Sequence, residues 1–410
     1  MTRRPGGILQ VCRRSGALLP VWRLPALIAA LAVGTSCGDG VTDVVMEEGG
    51  FLTLAVGGEH ACGTSAGGSL FCWGDNRAGQ LGTGGEESSD RPVRASTNVR
   101  FASVAAGLLH SCGIDADGGL YCWGENSRGQ IGNESRVNQS VPVRVAPDLK
   151  FAQVSAGWFH TCGLTVEGVA YCWGAAGQSQ LGGGPGVDVL EPRQVNAPVP
   201  FSVISAGGFH TCTLAVGGRA FCWGSNQFGQ IGNGNTADSA DPEAVAGSGV
   251  YTSISAGYSH SCGVRSDLRP FCWGSSAFGE LGYGGVGSPG TAGSTVPVAL
   301  HGGISAAMIS AGYYAGCLTD VQGLGWCWGR GEDGQLGTGS TWDSWTPQYV
   351  SIGIVGGSEL SLTSVGTGLR HACGLSLTGV AYCWGSGRKG QLGAGSLSYT
   401  PLAVRVSAAR

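Results

Sequence analysis

The chain predicts an all-β fold: a seven-bladed β-propeller of four-stranded antiparallel blades. Three observations carry that prediction. A Cys-Trp-Gly tripeptide recurs at Cys72, Cys122, Cys172, Cys222, Cys272, Cys327 and Cys383; the first five copies are 50 residues apart and the last two steps are 55 and 56. A fixed period of that size marks a solenoid or a propeller. Each period also holds four short strand-like runs between glycine-rich turns, with no helical spacing of apolar residues.

The unit 101–150 shows the strands in order. Residues 101–106 alternate as a strand and end at Gly107. Residues 110–114 read as a second strand. Asp117-Gly118 is a hairpin signal, because such turns need positive φ. Residues 120–123 form the third strand, and a glycine-punctuated loop runs over 124–132. Residues 141–145 close the unit. Pro142 marks this run as an edge strand, since proline has no N–H for an inner ladder. An open ring would expose an edge. The segment 401–406 therefore reads as an outer strand that pairs with the blade starting at Phe51 and fastens the chain ends together. If units begin instead at the Phe-x-x-Val strand, every blade is whole and no clasp exists.

Glycine makes up 77 of 410 residues without a triplet period, and charged residues are only 12%. Aromatic and aliphatic residues recur throughout, so neither collagen nor disorder fits. Residues 51–410 tile as one toroidal domain. Residues 1–36 differ. Arg3, Arg4, Arg13, Arg14 and Arg23 precede any acid, and the apolar run 24–33 is too short to span a bilayer. That layout is a secretory signal, with 37–50 as a linker. Small residues before Cys37 resemble a bacterial lipoprotein cleavage site, although Gly34 stands where a leucine-like residue is usual. Cys37 is thus a lipidation candidate; ordinary secretion with a free Cys37 is the alternative. Arg13-Arg14 has poor flanks for twin-arginine export. With residues 1–36 removed, 18 of the 23 basic residues face 27 acidic ones, a net charge of −9. Such a surface repels phosphate backbones and argues against nucleic acid.

Fourteen of the 16 cysteines form pairs ten apart: Cys62/Cys72, Cys112/Cys122, Cys162/Cys172, Cys212/Cys222, Cys262/Cys272, Cys317/Cys327 and Cys373/Cys383. A hairpin centred on Asp117 sets Cys112 opposite Cys122, near disulfide reach. Export favours oxidation, so seven cross-strand disulfides are expected. Two other readings stand beside this one. His110, Cys112 and Cys122 share a face and could offer metal ligands, though zinc sites favour closer spacings. The thiols could also be free and buried. Trp73, Trp123, Trp173, Trp223, Trp273, Trp328 and Trp384 face the other side of each blade. They read as scaffold that meets the neighbouring blade, not as sugar platforms. His60, His110, His160, His210, His260 and His371 share one repeat position, where the sixth unit has Ala315. A structural hydrogen bond is the expected role, with metal binding or pH sensing as the alternatives. His301 lies outside this register.

The phrases Gly157 to Gly163, Tyr171 to Gly174 and Gly229-Gln230-Ile231-Gly232 resemble the regulator of chromosome condensation repeat. The resemblance covers essentially all of residues 51–410. It implies a seven-bladed propeller, and it implies little about activity, because one fold hosts many.

A binding site must break the sevenfold sameness. The two residues before each histidine position do so: Gly58-Glu59, Leu108-Leu109, Trp158-Phe159, Gly208-Phe209, Tyr258-Ser259, Tyr313-Tyr314 and Leu369-Arg370. They are expected to ring the central channel on one face, where aromatic residues suit protein recognition. Packing that plugs the channel mouth is the alternative. Two longer inserts, 283–303 and 338–360, are further candidates, the second carrying Trp342, Asp343 and Trp345. No phosphate loop or nucleophile elbow is present, Asp75, Glu125 and Glu280 form no pair, and no cofactor motif appears. The leading expectation is a non-enzymatic, monomeric scaffold for a protein partner, secreted or on the bacterial cell envelope, touching membrane only through a lipid anchor. Guanine nucleotide exchange on a small GTPase is the first rival. It needs a cytoplasmic location, and the even spacing leaves no inserted hairpin in the first five units. An extracellular hydrolase or lyase with a channel site is the second.

Overall fold

Each copy of the repeat folds as one antiparallel four-stranded sheet. The computed structural model describes residues 50–184, 186–285, 293–352 and 361–409. The expected signal, the linker up to residue 49 and Cys37 lie outside them. Seven four-stranded sheets are present among the described residues, each with its strands in chain order. The first runs Phe51–Val56, His60–Ser65, Leu70–Gly74 and Ser89–Arg94. The second runs Phe101–Ala106, His110–Asp115, Leu120–Gly124 and Gln139–Val145. The first strand of each blade lines the central channel and the fourth lies outermost. Proline stands in every outer strand, as Pro92, Pro142, Pro192, Pro242, Pro297, Pro347 and Pro401. These edges therefore lack a full set of donors for pairing with another chain.

The hairpin sets Cys112 directly opposite Cys122, and every other pair shares that register. All seven pairs are disulfides with Cα atoms 4.0–4.1 Å apart. The free-thiol and metal-ligand readings of these cysteines therefore fall. The Asp115 carboxylate closes the turn by accepting the N–H of Asp117 at 2.9 Å and of Gly119 at 2.7 Å.

Each disulfide meets the tryptophan of the next blade. Cys162, Cys172, Leu164 and Leu181 pack with Phe201 and Trp223, and the same layering recurs around the ring. The indole N–H also crosses the interface. Trp123 donates to the Gln80 carbonyl at 2.8 Å, and Trp173, Trp223, Trp273, Trp328 and Trp384 repeat that bond at 2.7–3.0 Å. Near the axis, the N–H of Leu108 donates to Gly157 O at 3.1 Å, one of a belt of blade-to-blade backbone bonds. Only glycine permits this approach, because a Cβ on Gly107 would collide with the Gly157 carbonyl.

The histidines sit in the same interface. His60, His110, His160 and His210 meet Ser111, Thr161, Thr211 and Ser261 of the following blade at 2.8–2.9 Å. Those hydroxyls donate onward to the carbonyls of Gln80, Gln130, Gln180 and Gln230. A hydroxyl carries one proton, so each imidazole must donate from Nε2 and is the neutral Nε2–H tautomer. His260 and His371 face Gly316 and Ala61 instead, and their Nε2 atoms have no partner. Burial holds these imidazoles to a pKa of about 3, and His260 to about 4. The structural role expected of the position is what the fold uses at four interfaces.

The expected clasp between chain ends is not formed. Thr400–Arg405 pairs with the third strand of its own blade, Val404 opposite Cys383, and Phe51–Val56 pairs with His60–Ser65. The last outer strand follows its own hairpin through the same loop as its six counterparts, so no strand is left to exchange. The seam instead uses the contacts found elsewhere. Trp73 donates to Gln391 O at 3.1 Å, Leu369 N to Gly58 O at 3.1 Å and Gly395 N to Asp90 O at 2.8 Å. Phe51 and Trp73 share one apolar cluster with Cys373, Cys383, Leu392 and Val406.

Two stability measurements follow. The pair Cys112→Ala, Cys122→Ala should lower the urea-unfolding free energy by about 2–3 kcal/mol, the worth of closing a short loop in the chain-entropy model. The histidine pKa values lie below the unfolded value of 6.5, so the unfolded chain takes up protons first on acidification. The histidine contribution to stability should be fully present above pH 6.5 and fall steadily toward pH 3. Melting temperatures unchanged between pH 7 and 4 would contradict the buried neutral imidazoles.

Candidate functional site

Antiparallel order sends two loops of every blade to the same face. One is the turn between the inner and second strands; the other joins the third strand to the outer. They are tied together within each blade: Glu125 N donates to Leu109 O and Ala175 N to Phe159 O, both at 2.8 Å, and the remaining blades repeat the bond. The residue pairs singled out from sequence therefore ride on fixed turns. A buried asparagine stiffens the longer loop in three blades. In the second, Asn126 receives Ile131 N at 2.9 Å and donates to Ser135 O at 2.9 Å and Val137 O at 3.1 Å. Asn76 and Asn226 act alike.

The structure brings the first residue of each pair to the axis. Trp158, Tyr258 and Tyr313, from the third, fifth and sixth blades, stack over the channel rather than standing apart as an open ring. Trp158 lies 4.3 Å from Tyr258 and 4.9 Å from Tyr313 between centroids, and Tyr258 lies 4.6 Å from Tyr313. Leu108 and Leu369 complete the cap. Beneath it is a channel cavity of about 220 Å³ walled by glycine, alanine and serine. Phe159, Phe209 and Tyr314 form an outer collar: Phe209 is 5.7 Å from Tyr258, and Tyr314 is 3.9 Å from Tyr313. Leu109 is half-buried beside Glu125, and Arg370 is exposed. Burial, then the neighbouring phenols, raises the pKa of Tyr258 and Tyr314, so both stay neutral hydrogen-bonding groups.

Above the cap lies a second cavity of about 310 Å³, floored by Trp158 and Tyr313 and bordered by Arg77, Arg330, Asp333 and Arg370. Three of these border residues lie outside both the pairs before the histidines and the two inserts singled out from sequence. Arg77, Arg330 and Asp333 come from the longer loops, in the first and sixth blades. Arg77 is held by Asp75 at 3.1 Å and Glu59 at 3.7 Å, Arg370 by Asp333 at 3.5 Å, and Arg330 by Glu332. Arg330 also lies over Phe278 at 4.9 Å and Tyr314 at 5.6 Å.

The two inserts fall differently from their sequence boundaries. In 283–303, residues 294–299 are the ordinary outer strand; the extra length lies between Gly274 and Ser294, on the cap face, partly outside the described residues. In 338–360 the loop before the outer strand Ser344–Tyr349 has its usual length, and the extra residues lie between Tyr349 and Leu362, on the opposite face, again partly outside the described residues. Trp345 is thus a strand residue and not part of an insert. Trp342 ends a normal loop and is 81% exposed. The total spacing revealed surplus length but not its place.

Among the described residues no three His, Cys, Asp or Glu side chains gather as a metal site, and no helix is long and apolar enough to cross a membrane. A family model described as the RCC1-like domain matches residues 34–372, and a second, for the regulator of chromosome condensation (RCC1) repeat, matches 362–391. The ultraviolet-B receptor UVR8 of Arabidopsis thaliana is 33% identical over 109 residues, 27% of this chain and 24% of the receptor. The aligned part is thus about a quarter of that relative's length. Human WBSCR16 superposes with a TM-score of 0.73 at 20% identity, over 83% of this chain and 94% of that one. Prp20p of Saccharomyces cerevisiae gives 0.73 at 21% identity, over 84% and 87%. At these identities the structural likeness speaks to the fold alone.

Glu280 breaks the repeat in a way comparison of the copies could have revealed. It stands where the other blades have Gln80, Gln130, Gln180, Gln230, Gln335 and Gln391. It keeps the glutamine's bond to the backbone, accepting Phe278 N at 2.7 Å, but its Oε1 is buried without a partner. Burial raises its pKa to about 7. The folded protein then holds a proton that the unfolded chain releases above pH 4.5, so this group costs stability as pH rises from 4.5 to 7. Glu280→Gln should remove that cost, by up to about 3 kcal/mol at pH 8 and little at pH 4. Equal melting temperatures for the two proteins at pH 8 would contradict a buried proton on Glu280.

Proposed function

This chain belongs to the RCC1-like domain family, and from that premise we propose that it is a non-enzymatic protein-binding scaffold, exported to the bacterial cell envelope or beyond. The aromatic cap carries the reading. It is where the sevenfold repeat is broken by large side chains, and these lie half-buried on turns locked to their neighbours. Rigid aromatic surface of this kind supplies contact area at little entropic cost. Seven buried disulfides fit an oxidising compartment. The N-terminal basic and apolar segments support export, and Cys37 supports a lipid anchor.

Nucleotide exchange on a small GTPase is the rival favoured by one observation, the likeness to Prp20p, whose reported structure concerns binding to Gsp1p and histones. That activity belongs to the cytosol or nucleus, where cross-strand disulfides would be reduced. A channel hydrolase or lyase would need converging titratable groups. The histidines near the channel are buried and neutral, and Glu280 is sealed from solvent.

The exported form should capture a protein from envelope extracts, and Trp158→Ala, Tyr313→Ala should lose it while melting normally. Capture that survives the double substitution would remove the cap from the account. Stimulated nucleotide release from a small GTPase by the oxidised protein would favour the rival.

A further inference from the structure

We propose that the bowl above the cap takes an acidic peptide segment of the partner, its carboxylates on Arg77, Arg330 and Arg370 and an apolar side chain on the Trp158–Tyr313 stack. This rests on reading the face as protein-binding and specifies what binds there.

The charge distribution points this way. Beyond residue 36 the chain has 18 basic and 27 acidic residues. Against that excess of acid, three arginines from three different blades converge on one cavity, with Asp333 as the acidic residue lining it. The cavity wall thus sets three guanidiniums against one carboxylate, so its lining presents N–H donors to an anion.

The arginines are positioned rather than consumed. A guanidinium has five N–H donors. Arg370 uses one nitrogen toward Asp333, and Arg77 uses Nε and one terminal nitrogen toward Asp75 and Glu59. Their side chains remain 49% and 57% exposed, so donors are left for a ligand. Arg330 is more buried and pinned by stacking on Phe278 and Tyr314. Pairing and stacking spend the rotamer entropy before the ligand arrives, which favours a bidentate grip on carboxylates. The floor is apolar, since Trp158 and Tyr313 present ring surface. A ligand of carboxylates alone would leave it wet, and an apolar one alone would strand the guanidiniums.

Fluorescence anisotropy of the disulfide-intact protein with a labelled peptide of glutamates around one phenylalanine tests this. A peptide with lysine for glutamate, one with serine for phenylalanine, and a single-stranded oligonucleotide serve as comparators. The glutamate–phenylalanine peptide should bind, weaken with added salt, and exceed every comparator. Arg330→Ala, Arg370→Ala should cost about tenfold or more, and Arg370→Lys less, with unchanged melting temperatures confirming the fold. Equal binding of the glutamate and lysine peptides, indifference to the arginine substitutions, or preference for the oligonucleotide would overturn the proposal. The two readings also fail separately. An envelope partner lost from the Trp158→Ala, Tyr313→Ala protein but kept by the arginine variant would preserve the protein-binding face and discard its acidic ligand.

Discussion

The structure depends on one contact, the cross-strand disulfide of a blade pressed against the indole of the next. A four-stranded sheet of short, glycine-rich strands has little apolar surface of its own. The disulfide makes the centre of each sheet a compact apolar plate that cannot slip in register, since opposite cysteines fix which residues face each other. The following tryptophan covers that plate and sends its N–H to the carbonyl at the Gln80 position of the preceding blade. One residue thus supplies both the burial and the hydrogen bond that angles neighbouring sheets into a ring. The same contact at Trp73 and Gln391 closes it, which is why the chain ends need no exchanged strand.

The ring is uniform in its scaffold and uneven in its interfaces. Four junctions carry the imidazole–hydroxyl–carbonyl relay that begins at His60, His110, His160 and His210. The junctions from the fifth blade back to the first lack it, through Gly316, Ala315, Ala372 and Ala61. The buried Glu280, Arg77, Arg330 and Arg370, and both insertions, belong to that same arc. These departures gather in one arc of the ring, while the repeated disulfide plates hold the whole in register.

Much of the fold was legible because the repeat states it seven times. Phe101–Ala106 is a strand with the expected bounds, the cysteine pairs oppose across the hairpin centred on Asp117, and the tryptophans are scaffold. The site was legible in part. Trp158, Tyr258 and Tyr313 stand out because their counterparts are small or aliphatic. Arg77 and Arg330 do not, because charge is common in loops and they lie far apart in sequence; they become neighbours only once the first blade meets the last. The clasp reading failed because a tandem repeat has no marked beginning, so spacing alone cannot say which strand opens a blade.

Non-reducing peptide mapping by mass spectrometry of the native protein tests the central contact most directly. The account predicts seven linked peptides, each joining cysteines ten residues apart within one blade, and no alkylation at these fourteen positions before reduction. Free thiols there, or links between different blades, would contradict it.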